Sequence, residues 1–497
     1  MDVKLYKAHN GLPSCKINGI PLHSSYNPIR EAERAVGTAS CKFKPTFVFV
    51  LEPGLSYCTD FLKKAFPDSK LCALHFVRNF SQNDFKWDKV FFFDEPASLS
   101  DSIFNYMGDD GVVSCFFWEW PPSGKIFESE MRVAWEEIKR AVIKTRNILN
   151  TRAYFAKRWI RNAIRFCLFS RYNAYVLKGQ SPVIVCASGP SLKRSIPFLK
   201  QHRDSYFLVA VSSALAPLTD AGVIPDLCIS TDGGYWAKLH LEFALKKHNI
   251  PLAIPLEGSC YAEILNNHTV IPISYGDGVS ENFLSSCNYL NVRAIRNGTV
   301  SGTAADFALS ITSAEVYFCG LDLAPSDGYA HTQPNELEIN ASRFDNRLRT
   351  TETRVTPHTF NSPALEIYKK WFSTTNFFGK VFRLSDGYPY PNKLGQVYDV
   401  DWTFFRQHLS SETTTKPIVL YQTHEIEIKS RIQQLTEEIR RNKTNIEWIK
   451  AAFPQEQILA ARSTNEEQRK AAENNIEESM EKFTDDIIKS LAKESYL

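Results

Sequence analysis

The sequence predicts an α/β chain: a central domain built on a parallel sheet, a smaller α/β domain before it and a helical domain after it. Three observations carry this. Short apolar runs recur through residues 179–410 with helical stretches between them, the pattern of parallel strands buried on both faces. A shorter alternation of the same kind fills residues 1–125. After residue 411, apolar residues fall at three- and four-residue steps, the spacing of packed helices. Residues 126–178 read as a helical connector.

In the first domain, Asn18-Gly19 marks a hairpin turn. Residues 29–36 read as a helix, 46–51 as a buried strand, 55–66 as a helix, and 70–76 and 90–93 as further strands. Glu52-Pro53-Gly54-Leu55-Ser56 follows a strand and could hold a ligand. No titratable cluster is visible around it, so a scaffold or acceptor-docking role is expected. In the connector, basic residues such as Arg140, Arg152, Arg161 and Arg165 alternate with Ile138, Val142, Ile160 and Ile164, which suits a solvated bridging helix.

The central domain opens on an apolar strand, 183–187, that breaks into Ser188-Gly189-Pro190-Ser191 before a helix. A glycine-containing turn entering a helix can point N–H groups at phosphate. The turn fits neither of the common nucleotide fingerprints, G-x-G-x-x-G and G-x-x-x-x-G-K-[ST]. Strands at 206–211, 227–231, 252–255, 270–273, 316–320 and 381–384 follow. Polar clusters stand at their ends: Ser212-Ser213, Asp232-Gly233-Gly234, Gly320-Leu321-Asp322 and Gly328-Tyr329-Ala330-His331. Ligands of open α/β sheets sit at such carboxyl ends. Asn297-Gly298-Thr299-Val300-Ser301-Gly302-Thr303 begins another helix. It suits either an anion site or a simple N-cap by Ser301 or Thr303.

Composition narrows the function. The chain has 497 residues, 43% hydrophobic and 23% charged, with a net charge of +3. That near-neutral balance argues against a nucleic-acid partner. No apolar run approaches a membrane span. The first residues carry no apolar signal core, and the eleven cysteines contain no C-x-x-C pair, so a reduced, cytoplasmic protein is expected. Asp399-Val400-Asp401 has the spacing of a glycosyltransferase metal motif, but it lies far from the other clusters and reads as surface residues. Arg343, Arg347, Arg349 and Arg354 form a basic segment suited to a phosphate or carboxylate.

In their order, Ser188-Gly189-Pro190-Ser191-Leu192, Ile224-Pro225-Asp226, Ser301-Gly302 and residues 320–331 resemble the motility-associated factor (Maf) proteins, the flagellin glycosyltransferases of bacteria. His23-Ser24-Ser25-Tyr26-Asn27-Pro28 looks like the start of their N-terminal domain. The resemblance covers most of residues 15–400. It implies a Rossmann-like central domain similar to bacterial sialyltransferases. It also implies transfer of a nonulosonic acid, of pseudaminic or legionaminic type, from a CMP donor to Ser or Thr of flagellin, with no separate cofactor or metal.

The same resemblance assigns the donor site to Ser188, Gly189, Pro190, Ser191, Ser212, Ser213, Asp232, Gly233, Arg296, Ser301, Gly302, Thr303 and Asp322. Ser188 and Asp232 stand where sialyltransferases carry Asn. Tyr329 matches one of two tyrosines that assist the leaving phosphate, and Ala324 occupies the other position. His358 is the first candidate for general base and His331 the second, since an imidazole near neutral pKa suits proton removal from a hydroxyl. Two other classes stay open: a hydroxymethylpterin diphosphokinase, whose domain type is similar, and a non-catalytic flagellin-binding chaperone.

Overall fold

The computed structural model describes residues 2–94, 98–324, 329, 331–355, 363–385, 387, 392–409, 414–423 and 427–494. The chain divides into two compact units. One comprises Met1–Tyr154 with Ala452–Lys482, the other Phe155–Ala451 with Phe483–Leu497.

In the first unit, β1 (Val3–Lys7), β2 (Pro13–Ile17) and β3 (Ile20–Pro21) form an antiparallel sheet. Asn18 and Gly19 take φ of 50° and 82° between β2 and β3, the left-handed pair that a tight hairpin needs. Four parallel strands follow: β4 (Phe47–Leu51), β5 (Lys70–His75), β6 (Lys89–Phe92) and β7 (Cys115–Glu119), in the order β6-β5-β4-β7. The helix Pro28–Thr38 starts where the Asn27 side chain accepts the Arg30 N–H, with proline at the first helical position.

The second unit holds an eleven-stranded sheet. Its strands are β8 (Tyr172–Leu177), β9 (Val183–Cys186), β10 (Phe207–Val211), β11 (Leu227–Ile229), β12 (Leu252–Pro255), β13 (Thr269–Ser274), β14 (Val292–Arg293), β15 (Val316–Cys319), β16 (Val381–Leu384), β17 (Tyr398–Val400) and β18 (Ile418–Thr423). The order is β17-β16-β15-β9-β10-β11-β12-β13-β8-β18, with β14 beside β13. All pairs are parallel except β18 on β8. β9 to β12 and β15 are buried along their whole length. This is the core that their unbroken apolar sequences dictate.

Four strands of this sheet differ from the expectation. β8 lies inside the stretch read as connector, β18 inside the tail read as helical, β17 at residues read only as surface, and the two-residue β14 where no strand was expected. β8 lies between β13 and the antiparallel edge strand β18; both are partly exposed, and their short apolar runs, Ala174–Leu177 and Ile418–Tyr421, sit beside long helical stretches. The tail is otherwise helical: Ile428–Asn442, Ile446–Ala452, Pro454–Arg462 and Glu466–Glu494. Pro454 opens its own helix, because proline fits a first turn and breaks an interior.

Candidate active site

Because β15, β9, β10 and β11 are adjacent and parallel, their carboxyl ends form one edge. The chain leaves β9 toward β10 and returns on its other side as β15. The edge between β9 and β15 is therefore a switch point, where crevices form in open sheets. Asp322, the turn Ser188–Ser191, Ser212–Ser213 and Asp232 stand along it in that order.

The turn after β9 is tightly built. A Cβ on Gly189 would lie 2.5 Å from the Gly320 carbonyl oxygen and 2.7 Å from the Asp322 carboxyl carbon, so only glycine fits. The Gly189 N–H donates to Gly320 O at 2.9 Å. Ser191 donates its N–H to Asp322 Oδ2 at 2.9 Å and its hydroxyl to Oδ1. Burial raises the Asp322 pKa, while the Ser191 hydrogen bonds and the Arg383 charge oppose that shift. Asp322 thus braces the turn, and the N–H groups of Gly189 and Ser191 are given to the protein. Ser188 accepts from the Ser213 hydroxyl at 2.8 Å, joining the ends of β9 and β10. Thr332 binds the turn from outside, N–H to Ser188 O at 2.8 Å and hydroxyl to Gly189 O at 2.7 Å. Ser212 is buried beside Ser213.

At the end of β11, exposed Asp232 accepts the Gly234 N–H at 2.7 Å. Gly233 lies against the Trp159 indole, where a Cβ would come within 2.5 Å. Asn162 clamps the carbonyls of Gly233 and Glu257 at 3.2 and 2.8 Å. Arg296 is committed to two carboxylates, Glu257 at 3.0 Å and Asp277 at 2.9 Å. Burial would lower its pKa, and those two charges raise it instead. The helix Val300–Ile311 has Thr299 at its N-cap position, without a side-chain cap. Neither Ser301 nor Thr303 caps it. Thr303 donates to Ile295 O at 3.2 Å, and Gly302 admits the Asn297 side chain where a Cβ would collide.

Tyr329 is 37% exposed. His331 is half-buried, and its pKa is lowered by burial first and then by facing His240. It stays neutral where an ordinary imidazole begins to charge. His358 lies outside the described residues. Arg343, Arg347 and Arg349 are exposed, Arg343 bonding Asn340 at 3.2 Å; the Arg354 side chain lies outside the description. One residue missed by sequence reasoning is Tyr368, on the helix Pro363–Thr374. Its ring lies 3.5 Å from where a Cβ of Gly298 would stand. Burial and then the Asp232 charge raise its pKa. Only the fold brings it to Asp232, so no local signal marks it.

Two expectations are corrected. Asp399 is half-buried and more than a surface residue: its carboxylate grips the fully buried Arg383 guanidinium, Nε at 2.6 Å and Nη2 at 3.1 Å. Asp401 caps the helix Trp402–Gln407 through the Phe404 N–H at 2.8 Å. Both carboxylates of the D-x-D are thereby occupied. The turn after β4 does hold a titratable cluster. Glu52, fully buried, meets His75 Nδ1 at 3.0 Å, and His75 Nε2 meets Asp84 at 3.2 Å. Among the described residues no group of His, Cys, Asp and Glu is arranged to hold a metal, and no helix is long and apolar enough to cross a membrane.

A family model for 6-hydroxymethylpterin diphosphokinase MptE-like proteins matches residues 157–328. Two proteins of Treponema pallidum (strain Nichols), both described as uncharacterized, are similar in sequence. One is 28% identical over 64% of this chain and 70% of its own length. The other is 30% identical over 27% of this chain and 60% of its own. The Maf glycosyltransferase from Magnetospirillum magneticum AMB-1 matches over 99% of this chain and 92% of its own, at 11% identity and a TM-score of 0.50. Over nearly its whole length, therefore, the chain is similar in fold to a Maf glycosyltransferase.

Proposed function

We propose that the chain is a cytoplasmic, inverting glycosyltransferase that moves a nonulosonic acid, of pseudaminic or legionaminic type, from CMP to Ser or Thr of flagellin. The observation that carries this reading is the edge formed by β15, β9, β10 and β11. It gathers hydroxyls, a carboxylate and a glycine-tight turn at the switch point of a fold similar to that of a Maf glycosyltransferase. The donor lies along the Ser188–Ser213 bridge, and Asp322 acts behind it by bracing the turn. The acceptor hydroxyl loses its proton to a histidine and attacks the anomeric carbon, and CMP departs with the electrons of the broken C–O bond. His358 is the first candidate for that base. His331 is the second, and its lowered pKa keeps its ring nitrogen free to accept a proton at neutral pH.

CMP release from CMP-nonulosonate in the presence of flagellin, with intact-mass analysis of the flagellin, tests the proposal. The expected result is a glycan mass with wild type and its loss with His358→Ala. If loss follows only His331→Ala, the base is His331. The match at 157–328 favours a second reading, a pterin diphosphokinase. ATP consumption with a hydroxymethylpterin, and none of CMP-nonulosonate, would establish that instead. Tight flagellin binding without turnover of either donor would mark a chaperone.

A further inference from the structure

Behind the Ser188–Ser213 bridge lies a pair of buried ionisable groups that the transfer does not use. His240, on the helix Leu239–Lys247, meets Glu336 Oε2 through Nδ1 at 3.2 Å. The two side chains are 8% and 7% exposed. The other Glu336 oxygen, Oε1, is buried with no hydrogen-bond partner. So is the hydroxyl of Ser230, a fully buried residue one position past β11. Leaving a polar atom buried and unpaired costs about 1–3 kcal/mol. Glu336 Oε1 and Ser230 Oγ are two such orphans.

Their position ties them to the donor site. Asn335, next to Glu336, reaches Ser213 O at 3.5 Å, and Ser213 holds Ser188. Glu336 also acts on the Cys228 thiol, whose pKa is driven up by burial first and then by the Cys260 and Glu336 charges. Cys228 lies in β11, and Ser230 follows one position past its carboxyl end. Both orphans therefore stand beside the carboxyl ends of β10 and β11.

We propose that Glu336, held by His240, and Ser230 form a polar subsite that reads an O–H or N–H substituent of the donor sugar. The charge of a carboxylate decides the ligand class. It repels phosphate and the donor's own carboxylate and accepts from a hydroxyl or an amide N–H. This rests on the glycosyltransferase reading and deepens it, because such a subsite selects among nonulosonic acids by their substituents.

Glu336→Gln tests it. The amide keeps an oxygen for His240 and puts a donor where the acceptor stood. CMP release would be measured with CMP-nonulosonate and with analogues lacking one hydroxyl or one amide N–H in turn. For wild type, one analogue is expected to lose about tenfold or more in kcat/KM. Glu336→Gln is expected to lose a similar factor with the parent donor and little further with that analogue, the signature of one shared contact. Ser230→Ala, which leaves the Glu336–His240 pair intact, runs the same cycle should the amide variant fail to fold. Additive losses with an active wild type overturn the subsite alone. A wild type that releases CMP from none of these donors overturns the glycosyltransferase reading, and the subsite with it.

Discussion

A single methyl group at Gly189 would meet both the Gly320 carbonyl and the Asp322 carboxyl group at once. Gly189→Ala is therefore expected to cost about 1–3 kcal/mol, as overpacking does, and to lower the thermal midpoint together with donor turnover. Restored stability without turnover in a second-site revertant would separate the turn's packing role from its place in the site. Arg383 makes the complementary case. Asp399→Ala removes a carboxylate partner from a fully buried guanidinium and is expected to cost about 3–5 kcal/mol, whereas Asp401→Ala loses only a helix cap, about 0.5–2 kcal/mol. Denaturant unfolding of the two variants checks the difference. Equal losses would mean that the Arg383 pair is not what Asp399 supplies. At this scale the sequence discloses the strand-end Ser188, Ser191, Ser213 and Asp232, since each follows an apolar run. It does not disclose what they do. Ser191 meets Asp322 across 131 positions, and Tyr368 feels the Asp232 charge across a similar span, so no window along the chain contains either pair. Arg296, expected at the donor, is paired with Glu257 and Asp277, which lie 39 and 19 positions away along the chain.

The turn after β4 shows how an element can depend on protonation. Glu52 and Ser56 take positive φ, 42° and 63°, a conformation that side chains ordinarily avoid. Glu52 holds the turn through the Gly54 N–H at 3.1 Å and the Phe76 N–H at 2.6 Å, and pairs with His75. Burial disfavours a charge on His75, but Glu52 and then Asp84 outweigh it, so its pKa is raised above the ordinary 6.5. A raised histidine pKa adds stability that is fully present below the unfolded value and fades as pH climbs through the folded one. The unit holding β4 to β7 is therefore expected to lose stability above pH 6.5, and His75→Gln to flatten that dependence; thermal scans from pH 5 to 9 measure it. An unchanged slope in His75→Gln would assign the dependence to another group. Elements were legible where burial is complete: β9, β10, β12 and β15 announce themselves as continuous apolar runs. β8 and β18 were not, although each holds an apolar run, because four such residues beside long helical stretches do not by themselves separate strand from helix.

Across the whole chain, the two compact units predict that calorimetric unfolding departs from a single two-state transition. CMP at about 100 times its Kd is expected to stabilise the unit bearing the strand-end site by about 2.7 kcal/mol and to leave the other transition in place. Scanning calorimetry with and without CMP reads both, and an unshifted pair of transitions would count against nucleotide binding at the β9–β15 edge. The fold class was legible from the alternation of apolar runs and helical stretches. The strand order was not, since sequence fixes neither which side of β9 receives β15 nor where the tail returns. That return sets an order of events during synthesis. β8 is the first strand of its sheet to leave the ribosome, yet one of its edges waits for β13 and the other for β18. At roughly 5–20 residues per second, the 246 positions from Leu177 to Thr423 take about 12–50 s to make. For that interval the nascent chain carries an open strand edge, the kind that recruits other chains. A stop codon placed before Ile418 would make the interval permanent.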